Sequence, residues 1–266
     1  MMYLIIGRTG SGKTHLADLL TEKGLQKVRS RTTRAPRFEG EPDYIFVTES
    51  EADAEEHRLT ETVIDGARYY TTPSDLSGKD FYVIDPIGAK RLAEAMPQET
   101  FVVLYVAADR EKRSERFAMR KGGGTQEQFD ARDTSETKQF DEFEHQLFES
   151  NDMSALDLPD NVRGARVFYN DYDPCHAETE ASIVADYVRS VTRLSRLVVE
   201  ATEKDIMRRD NEGRVLTHGA SEEDVWRNPQ DVAIMLLSDQ NAFADFMRAM
   251  LIHSDLLSVL DDDLNA

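Results

Sequence analysis

The chain has 266 residues, 40% of them apolar and 31% charged, a balance that supports a packed core and excludes wholesale disorder. Its formal net charge of −19 repels polyanions and argues against a nucleic-acid partner. The single cysteine, Cys175, excludes an intrachain disulfide and any cysteine-cluster metal site, fits a cytoplasmic setting, and reads as a small apolar filler.

No run approaches the roughly 18 consecutive apolar residues of a membrane span, so no membrane partner is expected. The opening MMYLIIGRTG lacks the basic n-region of a signal peptide and reads as a buried strand from Tyr3 to Ile6. That strand runs into Gly7-Arg8-Thr9-Gly10-Ser11-Gly12-Lys13-Thr14, a full match to G-x-x-x-x-G-K-[ST], and the following HLADLLTEKG reads as a helix. Glycines at these positions let backbone N–H groups curl around phosphate oxygens, and the helix N-terminus adds partial positive charge. The pattern predicts ATP on Gly7 to Thr14, with Lys13 following the transferred phosphoryl group and the Thr14 hydroxyl on Mg²⁺. Residues 1–40 carry eight Lys or Arg against three acids, a local +5 suited to an anion.

Next comes Ser30-Arg31-Thr32-Thr33-Arg34-Ala35-Pro36-Arg37, in which Arg34 and Arg37 flank a proline and form a stiff double fork for one phosphate dianion. Tyr44, in Asp43-Tyr44-Ile45-Phe46-Val47, can add a neutral hydrogen bond. The stretch from Asp43 to about Tyr70 reads as short strands and a small helix, a subdomain of its own. Further apolar runs at Phe81 to Ile84, Phe101 to Val106 and Val167 to Tyr169 alternate with helical stretches, which predicts a parallel sheet covered on both faces in a three-layer α/β fold. The strand FYVID ends in Asp85, placed to hold Mg²⁺ directly or through water. Charged residues dominate Asp109 to Glu149, and the glycines at 122–124 should break any continuous helix. From about Ala177 the chain reads as helical, with a long amphipathic run to about Arg209, a break at NEGR and more helices after the N-cap candidate Ser221. Asp261, Asp262 and Asp263 read as a solvated end.

The acceptor segment resembles the guanylate kinase family, whose signature is S-x-T-T-R-x-P-R with a downstream D-Y-x-F-V. The resemblance implies a P-loop nucleoside monophosphate kinase that takes GMP or dGMP, with Arg34, Arg37 and Tyr44 on the acceptor phosphate and Ser30 on the guanine. Glu61 stands nine residues before Tyr70 in Tyr69-Tyr70-Thr71-Thr72, as in the family's Y-Y-G-[ST] turn. By the same resemblance Glu61 accepts from guanine N1 and N2, Thr72 assists at the base and Tyr70 touches the phosphate. Only guanine among the common bases offers two adjacent donors on that edge, which suits a carboxylate. Arg113, Arg116, Arg120 and Lys121 resemble the family's lid, with Arg120 and the further Arg132 as its catalytic arginines. The loop from Arg37 to Tyr44 is shorter than the family's, Val83 stands where many members carry an acid, Thr71 replaces the turn glycine, and the tail has no counterpart. Expected boundaries are 1–190 for the kinase-like domain, with the acceptor segment at about 30–75 and the lid at about 110–135, and 191–266 for a helical extension. Two alternatives stay open: a non-catalytic guanylate-kinase-like binding module, and a P-loop kinase for another small phosphorylated acceptor.

Overall fold

The computed structural model describes residues 1–64, 66–119, 124–149, 157–171, 174–203 and 222–252. The chain opens with β1 (Met2–Ile6) and α1 (Lys13–Glu22), then β2 (Ser30–Thr32), β3 (Tyr44–Phe46) and α2 (Glu49–Ala54). A hairpin of β4 (Thr60–Ile64) and β5 (Ala67–Thr71) leads through α3 (Pro73–Leu76) to β6 (Phe81–Val83) and α4 (Pro86–Ala95). After β7 (Phe101–Ala107) come α5 (Arg110–Ala118), α6 (Gln126–Glu149), β8 (Val162–Tyr169) and the long α7 (Pro174–Glu203). Three helices follow, α8 (Glu222–Arg227), α9 (Pro229–Ser238) and α10 (Gln240–Ile252). The chain divides into two compact units, Met2–Val184 and Met1 with Ala185–Ala266, and the division falls inside α7.

In the larger unit the strands run β6-β1-β7-β8, all parallel, with helices on both sides, so the protein is α/β. Parallel strands are buried on both faces and therefore read as unbroken apolar runs. MYLII of β1 is buried throughout, and FVVLYVA of β7 is buried up to its last residue. Leu4, Ile6, Tyr82, Leu92, Phe101 and Val103 anchor the core on one side of this sheet, with Phe140 and Phe143 of α6 packed against them. β8 starts at Val162, ahead of the expected Val167, because Arg163, Gly164 and Arg166 interrupt the apolar pattern of this edge strand.

A second sheet of order β3-β2-β5-β4 holds the acceptor segment. β2 runs parallel to β3 and antiparallel to β5, which pairs antiparallel with β4. Directly opposed residues share a face, and alternate residues change face. One face therefore carries Ser30, Thr32, Tyr44, Tyr69, Thr60, Thr62 and Thr71, and the other carries Arg31, Tyr70, Glu61 and Arg68. Ser30 Oγ and the Tyr82 hydroxyl are hydrogen-bonded at 2.8 Å, and so are the Thr60 and Thr71 hydroxyls at 2.9 Å, which seats the first face against β6. Burial pushes the Tyr82 phenol up to about 12, partly offset by the hydroxyls of Ser30, Thr60 and Thr71.

In the smaller unit Val191, Leu194 and Val198 of α7 cluster with Val232, Leu236 and Phe246, the helical apolar layer that the sequence pattern expects. The break at NEGR, Arg209, Ser221 and the acidic run Asp261 to Asp263 lie outside the described residues. Among the described residues no helix is long and apolar enough to cross a membrane. Cys175 corrects its expectation: it sits exposed in the first turn of α7 and fills no core position.

Candidate active site

The 7–14 segment forms a tight loop between β1 and α1. Gly10 and Gly12 have φ of 82° and 100°, a region that residues with a Cβ avoid. A Cβ at Gly10 would run into the Arg113 carbonyl, and one at Gly12 into the Asn170 side-chain amide. Gly12 is the N-cap of α1 and supplies no side-chain cap, and the first turn contains no acid, so the partial positive charge of this helix end is not offset locally. Lys13 curls back over the loop, donating from Nζ to the carbonyls of Gly7 at 2.5 Å and Arg8 at 2.8 Å. Thr14 is the next residue and is exposed.

The walls of the loop come from distant elements. Asn170, just past β8, donates Nδ2 to the Ser11 carbonyl at 2.8 Å, and Arg116 reaches Ser11 O at 3.3 Å and Asn170 O at 2.5 Å. Arg113 joins Asp133 at 2.7 Å and Thr9 O at 3.3 Å. The Arg8 side chain turns away from the loop mouth to α6, where Nε and Nη2 each meet a Glu144 oxygen at 2.8 Å and Nη2 also meets Asp141. These carboxylates, Glu144 first, hold Arg8 above its ordinary pKa. Burial, and then Glu144, also raise the Tyr105 phenol, which donates to that carboxylate. The Glu136 carboxylate accepts from Thr9 N at 2.8 Å and from the Thr9 hydroxyl, and Arg132 Nε stands 3.8 Å from it. Arg132 is thus linked to the loop through Glu136, whereas Arg120 and Lys121 lie outside the described residues. Ser11 Oγ is buried and has no hydrogen-bond partner among the described residues.

Asp85 ends the β6 segment and N-caps α4, accepting from Gly88 N at 2.9 Å. Its Oδ1 also accepts from Gln139 Nε2 at 2.7 Å, while among the described residues Oδ2 has only the Thr62 hydroxyl at 3.5 Å. It borders a cavity of about 910 Å³ lined also by Thr60, Glu61, Thr62, Arg91 and Gln139. Arg34, Arg37 and Tyr44 are not among the lining residues.

The acceptor candidates fall into two groups. Arg34 stacks over the rings of Tyr44 and Phe46, at 5.1 and 5.5 Å, and shares Glu41 with Arg37. Tyr69 packs edge-on against Tyr44 at 5.6 Å. Burial raises the Tyr44 phenol and keeps it protonated as a donor. Ser30 shares this face of the sheet with Tyr44. Glu61 and Tyr70 lie on the opposite face, directly opposed in the hairpin. The Glu61 carboxylate is held by Arg68 Nε at 2.7 Å and Arg58 Nη1 at 3.4 Å, and the buried Tyr70 ring lies under Arg58. Thr72 is buried in the capping box of α3, where its hydroxyl donates to Asp75 at 2.8 Å. Tyr69 therefore shares the face of Tyr44, and Tyr70 lies on the opposite one. Sequence reasoning also missed Glu41, Glu136, Glu144 and Asn170; the one local signal was Glu41, placed four residues after Arg37.

No known protein family matches the chain, and no curated protein matches it. Among solved structures, a guanylate kinase from Anaplasma phagocytophilum is similar at 18% identity and a TM-score of 0.42, over 71% of this chain and 85% of its own. A sugar kinase from Janibacter sp. HTCC2649 is similar at 13% identity and a TM-score of 0.34, over 70% of this chain and 94% of its own.

Proposed function

We propose that the protein transfers the γ-phosphoryl group of ATP to a small phosphorylated acceptor, with GMP or dGMP as the leading candidate. The observation that carries this reading is the 7–14 loop: two positive-φ glycines, Lys13 at the first helical position and an uncapped α1 N-terminus form a seat for a polyphosphate. Backbone amides of Gly7 to Thr14 would hold the ATP phosphates, and Lys13 would exchange its two loop carbonyls for phosphate oxygens. Thr14 and the lightly bonded Oδ2 of Asp85 fit a shared Mg²⁺, which when bound would neutralise charge on the β- and γ-phosphates. Arg132, released from Glu136, and Arg120 would meet the charge of the transferring group.

The acceptor phosphate would sit on Arg34, Arg37 and Tyr44, whose two guanidiniums and protonated phenol suit a dianion. One of its oxygens forms a bond to the γ-phosphorus as the bond from that phosphorus to the β,γ-bridging oxygen breaks, and ADP leaves. Little covalent work falls to the protein, so positioning and charge neutralisation supply most of the acceleration. The guanine assignment, with Ser30, Glu61, Tyr70 and Thr72 at the acceptor, rests on sequence resemblance. It requires Glu61 to exchange Arg68 and Arg58 for the base.

ATP consumption measured with GMP, dGMP, AMP, CMP, UMP and a sugar phosphate tests the reading. Acceptor-dependent turnover, fastest with GMP or dGMP, is expected. GMP binding without ATP consumption would identify a binding module instead, and turnover only with the sugar phosphate would reassign the acceptor.

A further inference from the structure

Glu41 has no role in the reading above, yet both motif arginines converge on it. Its side chain is 1% exposed, against 18% for Arg34 and 47% for Arg37. The carboxylate accepts from Arg34 Nη2 at 2.8 Å and Nη1 at 3.3 Å, and from the backbone N–H of Arg37 at 2.7 Å, with Arg37 Nη1 at 3.6 Å. Burial alone would raise this carboxyl, but Arg34 and the Arg37 amide outweigh it and hold Glu41 below the usual carboxylate range, ionised at neutral pH.

A guanidinium offers two bidentate edges, Nη1 with Nη2 and Nε with Nη2. Glu41 takes the first, and the Ala35 carbonyl takes a further Nη1 proton at 2.7 Å. The second edge ends at Nε, which is buried and has no hydrogen-bond partner among the described residues. An unpaired buried donor on a permanent cation is costly, so this edge is the one with donor capacity to spare. A free arginine would distribute a phosphate between both edges; one clamped at its Nη ends has a single edge left.

We propose that Glu41 is a positioning residue for the acceptor: it clamps the Nη ends of Arg34 and the backbone of Arg37, reserving the Nε–Nη2 edge of Arg34 for the acceptor phosphate. This rests on the acceptor seat proposed above. Two opposite signs separate it from competition. A positioning carboxylate, once removed, loosens the fork and weakens acceptor binding, whereas a carboxylate competing for the seat would strengthen binding when neutralised.

The test is steady-state kinetics of the full chain with ATP and GMP, comparing the unmodified protein with Glu41→Gln and Glu41→Asp, and folding followed by circular dichroism. Glu41→Gln is expected to raise KM for GMP about tenfold or more, the scale of one lost charge-assisted hydrogen bond, with KM for ATP within about twofold. Glu41→Asp keeps the charge but shortens the reach, and is expected to fall between the two. An unchanged or lowered KM for GMP overturns the proposal. If the variants do not fold, the unmodified protein answers alone: the Arg34 Nε–H signal in ¹H–¹⁵N spectra should shift on adding GMP and not on adding guanosine. A GMP-induced shift of other arginines without Arg34 overturns the proposal. If the unmodified protein neither binds nor phosphorylates any acceptor, the acceptor seat itself is wrong, a result distinct from either failure of Glu41.

Discussion

The pair formed by Arg8 and Glu144 gives the sharpest quantitative expectation. Arg8 occupies a position in the 7–14 loop, yet its guanidinium makes two 2.8 Å bonds to Glu144 and lies 5.5 Å above the Phe140 ring. The side chains are 11% and 24% exposed, so water screens the pair only partly. A fully exposed pair contributes about 0.2–1 kcal/mol, and breaking a buried one costs about 3–5 kcal/mol. The intermediate burial and paired geometry place the coupling at about 2 kcal/mol. Urea denaturation of the unmodified chain, Arg8→Met, Glu144→Gln and the double variant measures that coupling directly. Either single substitution should lower Tm by about 4–8 °C, at about 2–4 °C per kcal/mol for a chain of this size. A coupling energy below about 0.5 kcal/mol would refute the claim that α6 anchors the loop through this pair.

Lys13→Ala is expected to abolish phosphoryl transfer with the fold intact, since no neighbouring ammonium follows the moving charge; near-normal turnover in a folded variant would remove the nucleotide assignment. Glu61→Gln is expected to raise KM for GMP roughly ten- to a hundredfold while barely affecting ATP, because the amide opposes a donor to a guanine donor. If GMP kinetics are unchanged and only stability falls, Glu61 serves Arg68 and Arg58 alone. Stability should fall in acid: Asp75 and Asp133 have folded-state pKa values below the ordinary carboxylate value, with Arg31 and Arg113 respectively outweighing burial. Their contribution is complete above the unfolded value of about 4 and is lost as pH drops through the lower folded value. Asp18, raised mainly by burial, acts in the opposite sense. A Tm that stays flat from about pH 6 to about pH 3 would contradict the sum of these signs.

The sheet class was legible because β1 and β7 are buried on both faces and spell unbroken apolar runs. The backbone of the 7–14 loop was legible because its demands are local: two glycines in left-handed conformations and a helix starting at Lys13. The two faces of the second sheet were not, since they depend on parity. The register Arg31↔Tyr70 turns Tyr70 and Glu61 one way and Tyr69 the other, and nothing in the Tyr69-Tyr70 pair reveals which is which. The acids of α6 looked like a solvated charged face because their partners, Arg8 and Thr9, are more than a hundred positions away. Such pairings leave no spacing signal.

The placement of β1 also constrains how the chain is made. It precedes the other strands of its sheet in the chain, yet it lies inside that sheet, with Tyr3 paired to Phe81 on one side and Val102 on the other. At about 5–20 residues per second, on the order of 4–20 s pass before both neighbours exist. During that interval MYLII is an unpaired apolar segment with no turn to shield it, the kind of stretch that chaperones retain and that aggregates when they do not. The 7–14 loop hangs from the end of this strand, so it cannot acquire its shape until most of the larger unit has been synthesised. Slow folding follows from so many distant pairings. A nascent chain halted before β7 would therefore lack the folded loop, however complete its glycine motif.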